Sequence, residues 1–123
     1  MNPRKLNILN KFKHAFEGIF YLVKKDKNFK IHLFLFLIVV LFGSICEISN
    51  SEWITILICS AFVLSLEALN SAVEKLADLV HKEIHPEIKI IKDVCAGSVL
   101  ISAIFSIAVA LIIFIPKILS FFV

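Results

Sequence analysis

Four polar side chains, Glu67, Asn70, Glu74 and Asp78, recur three or four residues apart in an otherwise apolar stretch. At about 100° per residue they occupy roughly 80° of a helix circumference, with Ser71 beside them. Leu66, Leu69, Val73, Leu76 and Ala77 make up the apolar opposite face. A carboxylate in or near hydrocarbon is costly and ordinarily faces a cavity, a partner or an ion, which makes Glu67 a candidate functional group. A second polar group, His81, Glu83, His85, Lys92 and Asp93, follows at once, and Asp26 stands among Lys24, Lys25, Lys27 and Lys30 before the first long apolar run. Carboxylates and cations in this combination meet the needs of phosphoryl transfer. They offer hard oxygen ligands for Mg2+, positive charge for a triphosphate, and a carboxylate to take the proton of an attacking hydroxyl. The plainer alternative is a solvated helix end at Glu74 and Asp78, with Glu67 serving as an assembly contact.

Other chemistries find less support. With Gly only at positions 18, 43 and 97, the glycine-rich phosphate loops of soluble nucleotide-binding proteins cannot be written. Cys46, Cys59 and Cys95 are odd in number and widely spaced, which suits small buried apolar residues rather than a metal or redox centre. His81 and His85 lack zinc-ligand spacing with any Cys or further His.

The elements that must position these groups follow from composition. The chain has 123 residues, of which 59% are apolar and 19% charged, against about 45–50% and 25% in soluble domains, so its solvent is partly lipid. Three Gly and three Pro are too few for a turn-rich β protein, and the expectation is an all-α integral membrane protein forming one domain over residues 1–123. An amphipathic surface helix is expected over about residues 6–25, where Leu9, Phe12, Phe16, Ile19, Phe20 and Val23 recur at helical spacing. Spans are expected over about 31–48, 53–80 and 93–115, the second projecting past the membrane and the third closed by Pro116 and Lys117. Eight of the 13 Lys and Arg residues precede the first apolar run, four surround the second connection, and none lies between Phe34 and Leu66. That segregation places the N-terminus and the polar connection on the cytoplasmic side and the C-terminus outside. It does not form the soluble basic face that nucleic acid would need. The polar groups on the second span need partners, so a homo-oligomer is expected.

The stretch Glu67-Ala-Leu-Asn70-Ser-Ala-Val-Glu74-Lys-Leu-Ala-Asp78 resembles the signature Glu-x-x-Asn-Ser/Thr-Ala-Ile/Val-Glu-x-x-x-Asp of the small prokaryotic diacylglycerol kinase and undecaprenol kinase family. The likeness extends to His14-Ala-Phe-Glu-Gly-Ile19, to Asn28-Phe-Lys-Ile-His-Leu33, to Glu52-Trp53 and to Ile91-Lys-Asp-Val-Cys-Ala-Gly-Ser-Val-Leu100. The Asn28–Leu33 and Glu52-Trp53 elements look more like the undecaprenol branch. The resemblance implies a homotrimer in the bacterial inner membrane, with active sites between subunits, that uses ATP and Mg2+ to phosphorylate a lipid hydroxyl. Carried over by position, Glu67 would be the general base, and Asp26 and Glu74 would hold the metal. His14, Tyr21, Asp26, Glu74, Glu83, His85, Lys92 and Asp93 would contact ATP. Glu67, Asn70, Phe29, Lys30 and His32 would contact the lipid. The family commonly has Glu, one methylene longer, where this chain has Asp26. The competing reading is a small transporter or channel with Glu67 as its ion or proton site.

Overall fold

A computed structural model of the chain describes residues 3–81 and 83–123. Four helices follow one another: α1 (Pro3–Lys25), α2 (Lys27–Ile45), α3 (Asn50–Val80) and α4 (Pro86–Phe122). The last three are long and apolar enough to cross a membrane. At 31 and 37 residues, α3 and α4 run about 46 and 55 Å, well beyond a hydrocarbon core of ~30 Å.

Local chemistry sets each boundary. Between α1 and α2 stands one extended residue, Asp26 (φ −95°, ψ 112°), whose side chain accepts from the Phe29 N–H at 2.8 Å and so caps α2. The preceding turn carries Lys24 and Lys25, favourably placed at a helix C-terminus. The expected first span ran to residue 48, whereas α2 stops at Ile45. Its C-cap Cys46 and then Glu47, at φ +50°, turn the chain, and Ile48 N–H bonds back to the Gly43 carbonyl at 3.2 Å. A reciprocal capping box opens α3. Ser49 N–H donates to Glu52 Oε1 at 3.0 Å, and Glu52 N–H donates to Ser49 Oγ at 3.3 Å. Pro86 opens α4 with His85 as N-cap, its ring accepting from the Glu87 N–H.

Pro116 does not close the last helix, contrary to the expectation from its residue type: α4 continues through it to Phe122. Proline removes one hydrogen bond, a loss that helices in apolar surroundings tolerate where neighbours compensate. Here the next residue, Lys117, reaches Glu52 on α3 at 3.5 Å and fastens the following turn.

Packing is closest between α3 and α4, with α2 against α3. Ile48, Ile56 and Ile113 form a buried cluster, flanked by Val39, Trp53, Val109 and Phe114. Gly43 lets Trp53 approach: a Cβ there would lie 2.7 Å from the indole Cη2 and 3.1 Å from Ile48 Cδ1. This cluster fixes one end of the bundle. The polar seam of α3 occupies the other.

Candidate active site

The buried residues of α3, Ile56, Val63, Glu67, Asn70, Ser71 and Ala77, follow one another at helical spacing. The packed face therefore continues into the first part of the carboxylate stripe, through Glu67, Asn70 and Ser71. Leu69 and Leu76, by contrast, are more than 60% exposed. Glu67 is 3% exposed and Asn70 and Ser71 each 4%, Glu74 is half-buried, and Asp78 is exposed, so the stripe emerges gradually from the bundle.

Around Glu67 three elements converge. His32 of α2 places its Nε2 3.8 Å from Glu67 Oε2. Asn70 Nδ2 donates to Glu74 Oε1 at 3.4 Å, one turn along α3. Ser71 Oγ donates to Asp26 Oδ2, across 45 residues of sequence. The charges of Asp26 and Glu74 both reach Glu67. Two buried acceptors at the centre, Glu67 Oε1 and Asn70 Oδ1, have no hydrogen-bond partner among the described residues. A buried acceptor left without a donor is uncommon and calls for a missing partner. One turn beyond Ser71, Lys75 donates to the Tyr21 hydroxyl and lies 4.7 Å from the centre of its ring, tying α1 to α3.

The second polar group surrounds a cavity of about 340 Å3 at the α3–α4 connection, lined by Asp78, His81, Glu83, His85, Lys89 and Lys92. Lys92 pairs with Asp78 at 2.5 Å, while Asp93 pairs with Lys89 at 2.6 Å. The His81 and His85 rings lie 5.3 Å apart. The ammonium of Lys75 lies within electrostatic reach of Asp26 and Asp78, one from each group.

Of the residues expected at the site, Glu67, Asn70, Glu74, Asp26 and His32 are drawn together, with Tyr21 adjoining through Lys75. Glu83, His85 and Lys92 line the second cavity, with Asp93 beside it on Lys89. Phe29 is buried and Lys30 exposed. His14 is exposed on α1, 3.3 Å from Glu17. Ser71 and His81 stand in the two polar groups that the sequence picks out but carry no assigned role there, and Lys75 is not singled out for the site at all. The Ser/Thr position inside the α3 motif was the available signal for Ser71, and Lys75 follows it by one turn.

Among the described residues no three His, Cys, Asp or Glu side chains gather into an all-protein metal site. Magnesium on a nucleotide does not need one, because it takes one or two carboxylates with phosphate oxygens and water. Glu74 and Asp26 could offer such a donor set, since Asp26 keeps lone pairs beyond the two it commits to Phe29 and Ser71.

The molecule is thus an all-helical protein with three helices able to cross a membrane and an acidic site where the start of α2 meets the second half of α3. Residues 13–114 match the family model for prokaryotic diacylglycerol kinase, and the chain belongs to that family of lipid kinases. It is 37% identical over 106 residues to an undecaprenol kinase of Bacillus subtilis (strain 168), covering 86% of each chain. It is 34% identical over 118 residues to a diacylglycerol kinase of Synechocystis sp., covering 95% of this chain and 67% of the other. No solved structure matches the chain significantly.

Proposed function

We propose that the protein transfers the γ-phosphoryl group of ATP, with Mg2+, to the hydroxyl of a membrane lipid, undecaprenol or diacylglycerol, at the cytoplasmic face of the bacterial inner membrane. The observation that carries this reading is the buried, unpartnered Glu67 Oε1 beside the unpartnered Asn70 Oδ1. Glu67 Oε1 lacks a donor that an alcohol O–H would supply.

Glu67 accepts the hydroxyl proton as the oxygen attacks the γ-phosphorus. The new P–O bond forms as the bond to the β-phosphate breaks, and ADP leaves with those electrons. His32 faces the other Glu67 oxygen at 3.8 Å, and Asn70, which spends one of its two amide N–H donors on Glu74, has the second to donate to the hydroxyl oxygen and orient it. Phe29, Lys30 and His32 flank the path of the lipid. Glu74 and Asp26 would hold Mg2+, which supplies charge neutralisation on the phosphates. Glu83, His85, Lys92 and Asp93, with Tyr21 and His14 from the surface helix, receive the nucleotide. Most of the catalytic work is positioning and charge compensation.

The apolar side chains of α1, among them Leu9, Phe12, Phe16 and Phe20, are exposed, as suits a helix lying in the headgroup layer with its N-terminus cytoplasmic. Large apolar side chains are likewise exposed along α2, α3 and α4. Such uncovered helix faces can pack against further copies of the chain, which supports a homotrimer with sites completed between subunits.

The test is a side-by-side assay of the purified protein in lipid, with labelled ATP, Mg2+ and either undecaprenol or diacylglycerol. Label in the lipid fraction with at least one acceptor is expected. Absence of label with both, or nucleotide-independent proton-coupled uptake in vesicles, overturns the reading. The greater identity to the undecaprenol kinase favours undecaprenol as the better acceptor.

A further inference from the structure

We propose that Ser71 is a positioning residue of the site: its hydroxyl fixes the carboxylate of Asp26, and through Asp26 it sets the affinity for the metal–nucleotide substrate. The inference rests on the reading of Asp26 given under the proposed function. Asp26 alone joins α1 to α2, and its cap fastens only one oxygen, Oδ1, to the Phe29 N–H. A carboxylate held through one oxygen still turns about its terminal torsion, which is broad. The bond from Ser71 Oγ to Oδ2 removes that freedom and couples the junction to α3.

Burial makes this contact different from a surface hydrogen bond. Ser71 is 4% exposed, and a side chain packed so closely has few rotamers and little competing water. Its neighbour one turn on, Lys75, grips Tyr21 on the other side of the junction. Positions 71 and 75 share a face of α3, so one stripe of α3 holds two groups assigned to the nucleotide. With two of its four lone-pair positions occupied, the Asp26 carboxylate presents the remaining two in a fixed direction.

The experiment compares wild type with Ser71→Ala, Ser71→Cys and Ser71→Thr in the same detergent. One readout is calorimetric binding of a non-hydrolysable ATP analogue with and without Mg2+, free of turnover. The other is the separation of KM for ATP from kcat. Loss of a hydrogen bond to a charged acceptor predicts about tenfold weaker Mg2+-dependent binding and a similar rise in KM for Ser71→Ala, with kcat changed less than about threefold. Ser71→Cys keeps the volume but donates weakly, so it follows Ala even if Ala disturbs folding. Ser71→Thr restores the hydroxyl and the affinity. Wild-type affinity in the folded Ala and Cys variants, or failure of a folded Thr variant to restore it, overturns the proposal. In an Asp26→Asn background the Ser71 substitutions should lose most of their effect, and full additivity overturns it equally. Failure of the kinase reading shows separately, as wild-type protein that binds nucleotide without labelling either lipid.

Discussion

Asp26 carries two duties that substitution can separate. It caps α2 through Phe29 N–H at 2.8 Å and accepts from the buried Ser71, and its charge is assigned to the metal. Asp26→Ala removes the cap, worth about 1 kcal/mol, and strands the Ser71 hydroxyl at a cost of ~1–3 kcal/mol, so a loss of about 2–4 kcal/mol is expected. Asp26→Asn keeps both contacts, because Asn caps as well as Asp and its amide N–H can donate to the serine oxygen; the expected loss is under ~1 kcal/mol. Asp26→Glu keeps the charge but is not a favoured cap, and should lose about 1 kcal/mol. Stability, followed by fluorescence of the single Trp53 during SDS titration, should therefore fall in the order Asp, Asn, Glu, Ala. The Mg2+ concentration for half-maximal activity should order differently, Glu staying near wild type while Asn and Ala rise at least about tenfold, the scale of one lost charge-assisted contact. Asn as unstable as Ala refutes the capping account. Asn with wild-type Mg2+ dependence refutes the role assigned to the charge.

At the other end of the bundle, Gly43→Ala forces a methyl to within 2.7 Å of the Trp53 ring. It should lower stability by about 1–3 kcal/mol in the same titration, with partial rescue by a smaller residue at position 53 followed by circular dichroism. An unchanged midpoint would show that the indole yields freely. Lys92→Met should raise KM for ATP about tenfold, and Lys89→Met, which removes only the exposed partner of Asp93, should raise it less, by about threefold. Equal effects would remove the distinction between the two lysines.

The local pattern made much of this legible. Glu67, Asn70, Glu74 and Asp78 lie on one helix, so 3.6-residue periodicity alone aligns them, and long apolar runs announce the three long helices. What pattern could not show is which face of α3 turns inward. The packed seam runs through Ile56 and Val63 into Glu67, Asn70 and Ser71, and that direction depends on how α2 and α4 lie against it. The bond between Ser71 and Asp26 depends on the same packing. Asp26 attracts notice as a metal ligand with a short arm, but its length also suits the N-cap position that the one-residue break between α1 and α2 creates. Pro116 misleads for the opposite reason. Its residue type signals a stop, while α4 runs through it to Phe122, with Lys117 in contact with Glu52, 65 positions earlier in the chain.

The most direct measurement is lipid phosphorylation by Glu67→Gln, in bilayers and at saturating ATP and Mg2+. Gln keeps the shape of the side chain and removes the base. The rate should fall by about 10²–10⁴, the usual contribution of a positioned general base, while analogue binding and the unfolding midpoint stay near wild type. A folded Glu67→Gln protein that phosphorylates lipid within about threefold of the wild-type rate, far inside that range, would contradict the assignment of Glu67 as the base.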